Sequence, residues 1–178
     1  MHEHVCRQFK FCPKCGAESF HNVRINQLVC ERCSFNYFIN PAIAVGAVIV
    51  DLDGRILLIR RAFEPSMGKL GIPGGFIDAY ETAEDGVRRE IKEEVNLDST
   101  DCRYLTSHPN KYRTADGAYA VLDLFFLCHV PSFDGIKAGD DAADYVFLHP
   151  SEIRMEEIAF PSIRLALERY IGKLEVRS

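Results

Sequence analysis

Residues 42–50 form an unbroken apolar run, short and rich in β-branched side chains, which reads as a buried strand. Asp51-Leu52-Asp53-Gly54 closes it with a turn ending in Asp-Gly, and residues 55–60 return as the second arm of a hairpin. Gly71 to Gly75 is a glycine-rich loop around Pro73. Residues 82–95 then switch to helical spacing, with Val87, Ile91 and Val95 recurring every four residues. Thr82 is placed to cap this helix, and Asp85 stands where the acidic partner of a capping box belongs. Asn96 follows it, the usual second choice after glycine for the left-handed position that ends a helix. Strands are predicted at residues 103–107 and 118–130, and, after a polar loop over 131–144, at 145–148. The chain closes with a helix over 161–174, whose Ile163, Ala166, Leu167, Tyr170, Ile171 and Leu174 share one face. Strands on both sides of a helix, with a second helix at the end, predict an α/β/α sandwich.

The first forty residues follow a different pattern. Residues 11–38 hold two Cys-x-x-Cys knuckles around a strand-like segment over 23–29, and too few large apolar residues to build a core alone. A metal is expected to organise them. Asn40-Pro41 punctuates the chain, so the expected division is a small unit over 1–40 and a main domain over 41–178.

Among 178 residues, 47% are hydrophobic and 26% charged, the profile of a soluble globular protein. No apolar run approaches the roughly 20 residues that span a bilayer, and the N-terminus has no export-signal core, so a cytoplasmic location and no membrane partner are expected. Net charge is −5, unevenly spread. Residues 1–40 hold five basic and three acidic side chains, and the rest 16 basic and 23 acidic. An acidic body argues against broad nucleic-acid binding and is compatible with a polyanion bound through divalent cations.

The chemistry-bearing segment is Gly75 to Leu97. A helix turns by about 100° per residue, so Glu90, Glu93 and Glu94 fall on one face with Cβ atoms about 5–6 Å apart. Three carboxylates that close repel one another unless cations sit between them. Mg²⁺ or Mn²⁺ suits such ligands and keeps waters and phosphate oxygens as its others. Gly86, one turn earlier on the same face, is expected to leave space for the metals. A bare Glu-x-x-Glu-Glu is more often a solvated helix face. Here, however, Gly75, Glu81, Arg89, Glu90, Ile91, Glu93, Glu94 and Leu97 stand at the spacing of the Nudix box, eight matching positions across 23 residues. The single departure is Asn96 where that box has glycine, and asparagine tolerates the left-handed conformation.

The chain therefore resembles the Nudix hydrolases from about Pro41 onward. The resemblance implies an α/β/α sandwich with a mixed sheet and hydrolysis at a phosphorus atom of a diphosphate linkage. It implies Glu90, Glu93, Glu94 and the Gly75 carbonyl as Mg²⁺ or Mn²⁺ ligands, Arg89 as orienting a glutamate, and Glu81 as supporting the site from its edge. For the general base the candidates are Glu93 and the loop acids Asp140, Asp141 and Asp144. Tyr112, Arg113 and Tyr119 are candidates to stack on a substrate ring.

Cys12, Cys15, Cys30 and Cys33 can close a tetrahedral shell around Zn²⁺, and a shell filled by protein leaves no open position, so that metal is expected to be structural. Cys102 and Cys128 lie in predicted strands and read as core thiols. A zinc ribbon before a Nudix domain is similar to two groups of the family. One is the NAD(H) diphosphatases, whose Ser-Gln-Pro-Trp-type motif is kept here only as the Ser and Pro of Ser107-His108-Pro109-Asn110, in a chain with no Trp. The other acts on FAD or ADP-ribose, and the Ile158-Ala-Phe-Pro-Ser-Ile163 segment looks closer to it. The expected partner is a small nucleotide substrate, with a homodimer allowed. A catalytically silent nucleotide sensor and a nucleoside triphosphatase are the competing readings.

Overall fold

The computed structural model describes residues 9–24, 26–99, 101–114, 117–136 and 142–176. The chain divides into two compact units, Met1–Pro41 and Ala42–Ser178. No helix among the described residues is long and apolar enough to cross a membrane.

In the first unit, β1 (Phe20–Arg24), β2 (Gln27–Cys30) and β3 (Asn36–Phe38) form an antiparallel sheet in that order. The segment over 23–29, expected as one strand, is instead the bend of the β1–β2 hairpin, with Arg24 opposite Gln27. Its buried residues are Cys12, Phe20, Leu28 and Cys30, flanked by Ala17, Phe35 and Ile39. At about 1.5–3 kcal/mol for each large apolar side chain buried, so small a core does not offset the entropy of ordering the unit.

The second unit is the sandwich. Its strands are β4 (Ala42–Val50), β5 (Ile56–Arg61), β6 (Leu70–Gly71), β7 (Asp101–Thr114), β8 (Gly117–His129) and β9 (Ala142–Leu148). The sheet runs β6-β5-β4-β8-β7, with β9 also paired to β5. It is mixed: β4 and β8 are parallel from Ala42↔Val121 to Val50↔His129, while β7–β8, β5–β6 and β5–β9 are antiparallel. Alternation along the strands sorts side chains to the two faces. Val45, Ala47 and Ile49 pack with Val87, Ile91 and Val95 of α1 (Ala83–Val95). Val48 and Val50 pack with Ile163, Ala166, Leu167 and Tyr170 of α2 (Pro161–Glu175).

The predicted β4–β5 hairpin is present at its closed end only. Asp51, 5% exposed, accepts hydrogen bonds from the backbone N–H and Nε of Arg55, both at 2.9 Å. Val50↔Ile56 is the one paired position of the two strands. Beyond it the glycine-rich loop takes the edge of β4: Val45 N–H donates to Gly75, Ala47 N–H to Pro73, and Ile77 N–H to Ile43. The loop is thereby locked beside α1. Gly74 makes this close approach possible. Its φ is 153°, and a Cβ there would lie 2.1 Å from the Val45 carbonyl oxygen.

Two further expectations are corrected. Strand β7 extends to Thr114 and passes through Pro109, which was expected to lie beyond it. As the last strand of the order, β7 has one edge without a partner strand, so a residue lacking an N–H is tolerated there. Cys102 and Cys128 are not separate thiols. They face one another across the β7–β8 pair, Cα atoms 4.2 Å apart, and form a disulfide.

Candidate functional site

Helix α1 begins at Thr82, whose hydroxyl oxygen accepts the Asp85 N–H at 3.1 Å and whose hydroxyl donates to the Asp85 carboxylate at 2.7 Å. It ends at Asn96, left-handed at φ 54°, whose N–H donates to the Lys92 carbonyl. Both caps stand where the sequence put them. Val87, Ile91 and Val95 are fully buried, which fixes the rotation of the helix and turns Glu90, Glu93 and Glu94 toward a cleft of about 620 Å³.

Arg89 organises this face. Its Nε and one terminal nitrogen donate to both oxygens of Glu81, each at 2.9 Å, a bidentate pair. The same terminal nitrogen reaches the Phe76 carbonyl at 3.1 Å. The other donates to Glu90 at 2.7 Å and Glu93 at 3.1 Å. All five N–H groups of the guanidinium therefore have acceptors. The Arg89 hydrogen bonds, helped by the Asp78 N–H, hold Glu81 down to about 2. Arg89 is correspondingly raised, through Glu81 first and Glu90 next. Burial pushes Glu90 above the ordinary carboxylate range, against the opposing pull of Arg89.

The glycine-rich loop docks on the same carboxylates. Gly74 N–H donates to Glu94 at 2.9 Å. A Cβ on Gly75 would lie 2.5 Å from a Glu90 oxygen, so the absence of a side chain there is what lets Glu90 approach the loop. The Gly75 carbonyl accepts the Val45 N–H at 2.9 Å, which leaves one lone pair for a cation. Gly75→Ala is expected to displace Glu90 and lower kcat by about 10²-fold, with the fold intact. Steady-state kinetics beside a thermal melt check this, and unchanged kcat would show that Glu90 does not need its present position. The space at Gly86, expected to be left for metals, belongs to Glu81 and Ile77: a Cβ there would meet a Glu81 oxygen at 3.1 Å.

Among the described residues, only the cysteine quartet gathers three or more His, Cys, Asp or Glu ligand atoms within 4.8 Å of one another. Glu90, Glu93 and Glu94 share the cleft without converging so tightly. That is compatible with Mg²⁺, which takes one or two carboxylates and fills its remaining positions with water and phosphate oxygens.

A family model for the NUDIX domain matches residues 40–168. The chain belongs to the Nudix hydrolase family. The ADP-ribose pyrophosphatase of Methanocaldococcus jannaschii is 36% identical over 113 residues, 64% of each chain. The NAD-capped RNA hydrolase NudC of Photorhabdus laumondii is 33% identical over 105 residues, 58% of this chain and 39% of that one. The match thus spans less than two thirds of either relative. The crystal structure of a NUDIX hydrolase from Nitrosomonas europaea superposes with a TM-score of 0.71 at 25% identity, covering 93% of this chain and 92% of that one.

In this Nudix domain the remaining candidates separate. Tyr112 lines the cleft, with its ring 6.5 Å from that of Phe160 and 5.9 Å from that of Phe76. Tyr119 stacks on Tyr112 at 6.0 Å and is not among the residues lining the cleft. Arg113 belongs to β7, but its side chain lies outside the described residues, as do Asp140 and Asp141. Asp144, on β9, accepts the N–H of Tyr145 and does not line the cleft. Lining residues that sequence reasoning missed include Arg61, Asn110, Asp123 and Phe160. Asp123 had a signal: it is a lone carboxylate on the otherwise apolar face Val121, Phe125, Leu127.

The first unit carries a cysteine quartet that could hold a metal ion. Gly16 N–H donates to the Cys12 carbonyl and Ser34 N–H to that of Cys30, both at 2.8 Å, and Gly16 and Ser34 are both left-handed. The two knuckles thus repeat one turn geometry. Cys12 and Cys33 Sγ atoms are 3.7 Å apart, as are those of Cys15 and Cys30. A tetrahedron with bonds of about 2.3 Å has edges of about 3.8 Å, so the quartet has the dimensions of a zinc shell.

Proposed function

We propose that this Nudix hydrolase cleaves the diphosphate linkage of a nucleoside diphosphate joined to a second group, with ADP-ribose and FAD ahead of NADH, and releases AMP and the phosphorylated remainder. The observation that carries this reading is the form of the cleft. Glu90, Glu93 and Glu94 line the same cleft as Tyr112, Phe160 and Ile163. An elongated molecule with a charged middle and a ring-bearing flank suits it. The M. jannaschii relative named as an ADP-ribose pyrophosphatase supports the order of substrates. The NudC relatives favour a second reading, an NAD-containing substrate.

In this proposal Glu90, Glu93 and Glu94 hold Mg²⁺ or Mn²⁺ together with the free lone pair of Gly75. Divalent cations bound there would neutralise the diphosphate and lower the pKa of a coordinated water. Arg89 fixes the carboxylates in place, and Glu81 anchors Arg89 with both oxygens. Of the described candidates for the general base, Glu93 lines the cleft and is 61% exposed, open to a water, and Asp144 does not line it. Zn²⁺ in the cysteine quartet has a structural part only.

Chromatography of reactions with FAD, ADP-ribose, NADH, nucleoside triphosphates and dinucleoside polyphosphates, with Mg²⁺ or Mn²⁺, tests the reading. AMP from ADP-ribose or FAD at the highest kcat/KM is expected. Pyrophosphate from nucleoside triphosphates at much higher kcat/KM would replace it with a triphosphatase, and turnover of none of them would favour a silent sensor.

A further inference from the structure

Where β8 and α2 line the cleft lies a carboxylate that diphosphate chemistry does not use. Asp123, in the middle of β8, is 9% exposed and lines the cleft between Val121 and Phe125. Ser162, in the first turn of α2, donates its hydroxyl to Asp123 at 2.6 Å. The amide of Asn110 also donates to it, and His108, its partner in the β7–β8 register, adds a favourable electrostatic contact. Burial raises Asp123 above the ordinary carboxylate range, against the pull of these donors.

A buried carboxylate is costly unless donors satisfy it, and two neutral donors fill about half of its roughly four acceptor sites. That leaves acceptor capacity on a carboxylate whose residue lines the cleft. The surroundings there suit a flat ring. Tyr112 and Phe160 form an aromatic wall, and Ile163 is apolar. Gly46 lets the Phe125 ring and Ile72 pack against β4, since a Cβ on it would stand 3.0 Å from that ring and 3.1 Å from Ile72.

We propose that Asp123 is a specificity residue that reads the nucleobase: it accepts a hydrogen bond from an exocyclic amine, so adenine is selected over bases that present a carbonyl in that place. The inference rests on the diphosphatase reading above, because a diphosphate held at Glu90, Glu93 and Glu94 leaves a flanking group to occupy the part of the same cleft that Asp123 lines.

The test compares wild-type turnover of ADP-ribose with that of two analogues, one carrying unsubstituted purine and one hypoxanthine. The expected order of kcat/KM is adenine, purine, hypoxanthine, with on the order of 10²-fold between first and last. Purine lacks the donor, and hypoxanthine sets an oxygen against the carboxylate. Asp123→Asn keeps the size and still accepts from Ser162, but its amide can face the base with either end. The adenine-to-hypoxanthine ratio is expected to shrink to within about 3-fold. Purine turned over as well as adenine would overturn the proposal, because an apolar pocket alone gives that result. An unchanged ratio in Asp123→Asn would overturn it equally. Should that variant fail to fold, the wild-type series decides. Calorimetric binding of AMP, purine riboside monophosphate and IMP to zinc-containing protein without added Mg²⁺ or Mn²⁺ is expected to follow the same order. That order, with no diphosphate conjugate turned over, would refute the diphosphatase reading and leave the base assignment standing; its absence would refute the assignment.

Discussion

Glu94→Gln is expected to lower kcat by on the order of 10³-fold, about 4 kcal/mol of barrier, while the protein remains folded. Glu94 Oε2 accepts the Gly74 N–H at 2.9 Å, and this bond holds the glycine-rich loop on α1. Glutamine keeps the length and one carbonyl oxygen, so the loop contact survives. What it loses is the charge. Mg²⁺ draws its affinity from ionised oxygens, and an amide oxygen is a poor replacement. The loss should therefore be largest at limiting Mg²⁺ and partly recovered as the cation is raised. Steady-state kinetics across a Mg²⁺ series, beside thermal melting of both proteins, makes the measurement. Full activity in Glu94→Gln at limiting Mg²⁺ would remove Glu94 from the metal ligands. Glu90 is a harsher position for the same change: it is more buried than Glu93 and is ion-paired to Arg89, so glutamine there also turns an ion-paired hydrogen bond into a weaker one to a neutral oxygen.

The second large effect is expected at the other metal-ligand set. Cys30→Ser should unfold residues 1–41 and leave the sandwich folded. Cys30 is fully buried, and the quartet supplies half of the four buried residues of its unit. Structural zinc contributes roughly 10–16 kcal/mol of apparent binding free energy in small domains of this kind, far more than that apolar core can. Metal analysis of wild-type protein purified without chelator should give one zinc per chain, and the variant none. Hydrogen exchange should show protection lost from β1 to β3 and kept in β4 to β9. Turnover at α1 should change much less than in Glu94→Gln. Protected amides over 20–38 in metal-free protein would show that the ribbon folds without its metal.

The contrast between these two sites explains how much of each could be read from the chain. Glu90, Glu93 and Glu94 are separated by three and four residues, and a helix converts that spacing into one face without help from elsewhere. The caps at Thr82 and Asn96 are also local, made of side chain and backbone within three or four residues. The knuckles are local in the same sense, since each pair of cysteines sits on one turn. The unbroken apolar run over residues 42–50 announced a buried strand, because successive strand side chains point to opposite sides and both sides are apolar here.

The tertiary structure decided what depends on partners distant in sequence. That β4 pairs mainly with β8 and the glycine-rich loop, and hardly with β5, is a competition for backbone hydrogen bonds, and no local pattern settles it. Arg89 was legible as an orienting residue, but the share of its five donors among Glu81, Phe76, Glu90 and Glu93 required the loop to be in place. The disulfide of Cys102 and Cys128 depends on β7–β8 register, as does the meeting of Asn110, Tyr112 and Asp123 in one cleft. The run of β7 past residue 107 and through Pro109 depends on its place in the strand order, since a residue without an N–H is tolerated at a sheet edge. The sequence by itself determined that three glutamates share one helix face and that four cysteines sit in two knuckles, since helical periodicity and cysteine spacing act over a few residues. The cleft beside these glutamates was decided by the fold, since its walls come from β4, β7, β8 and α2, and only long-range pairing brings them together.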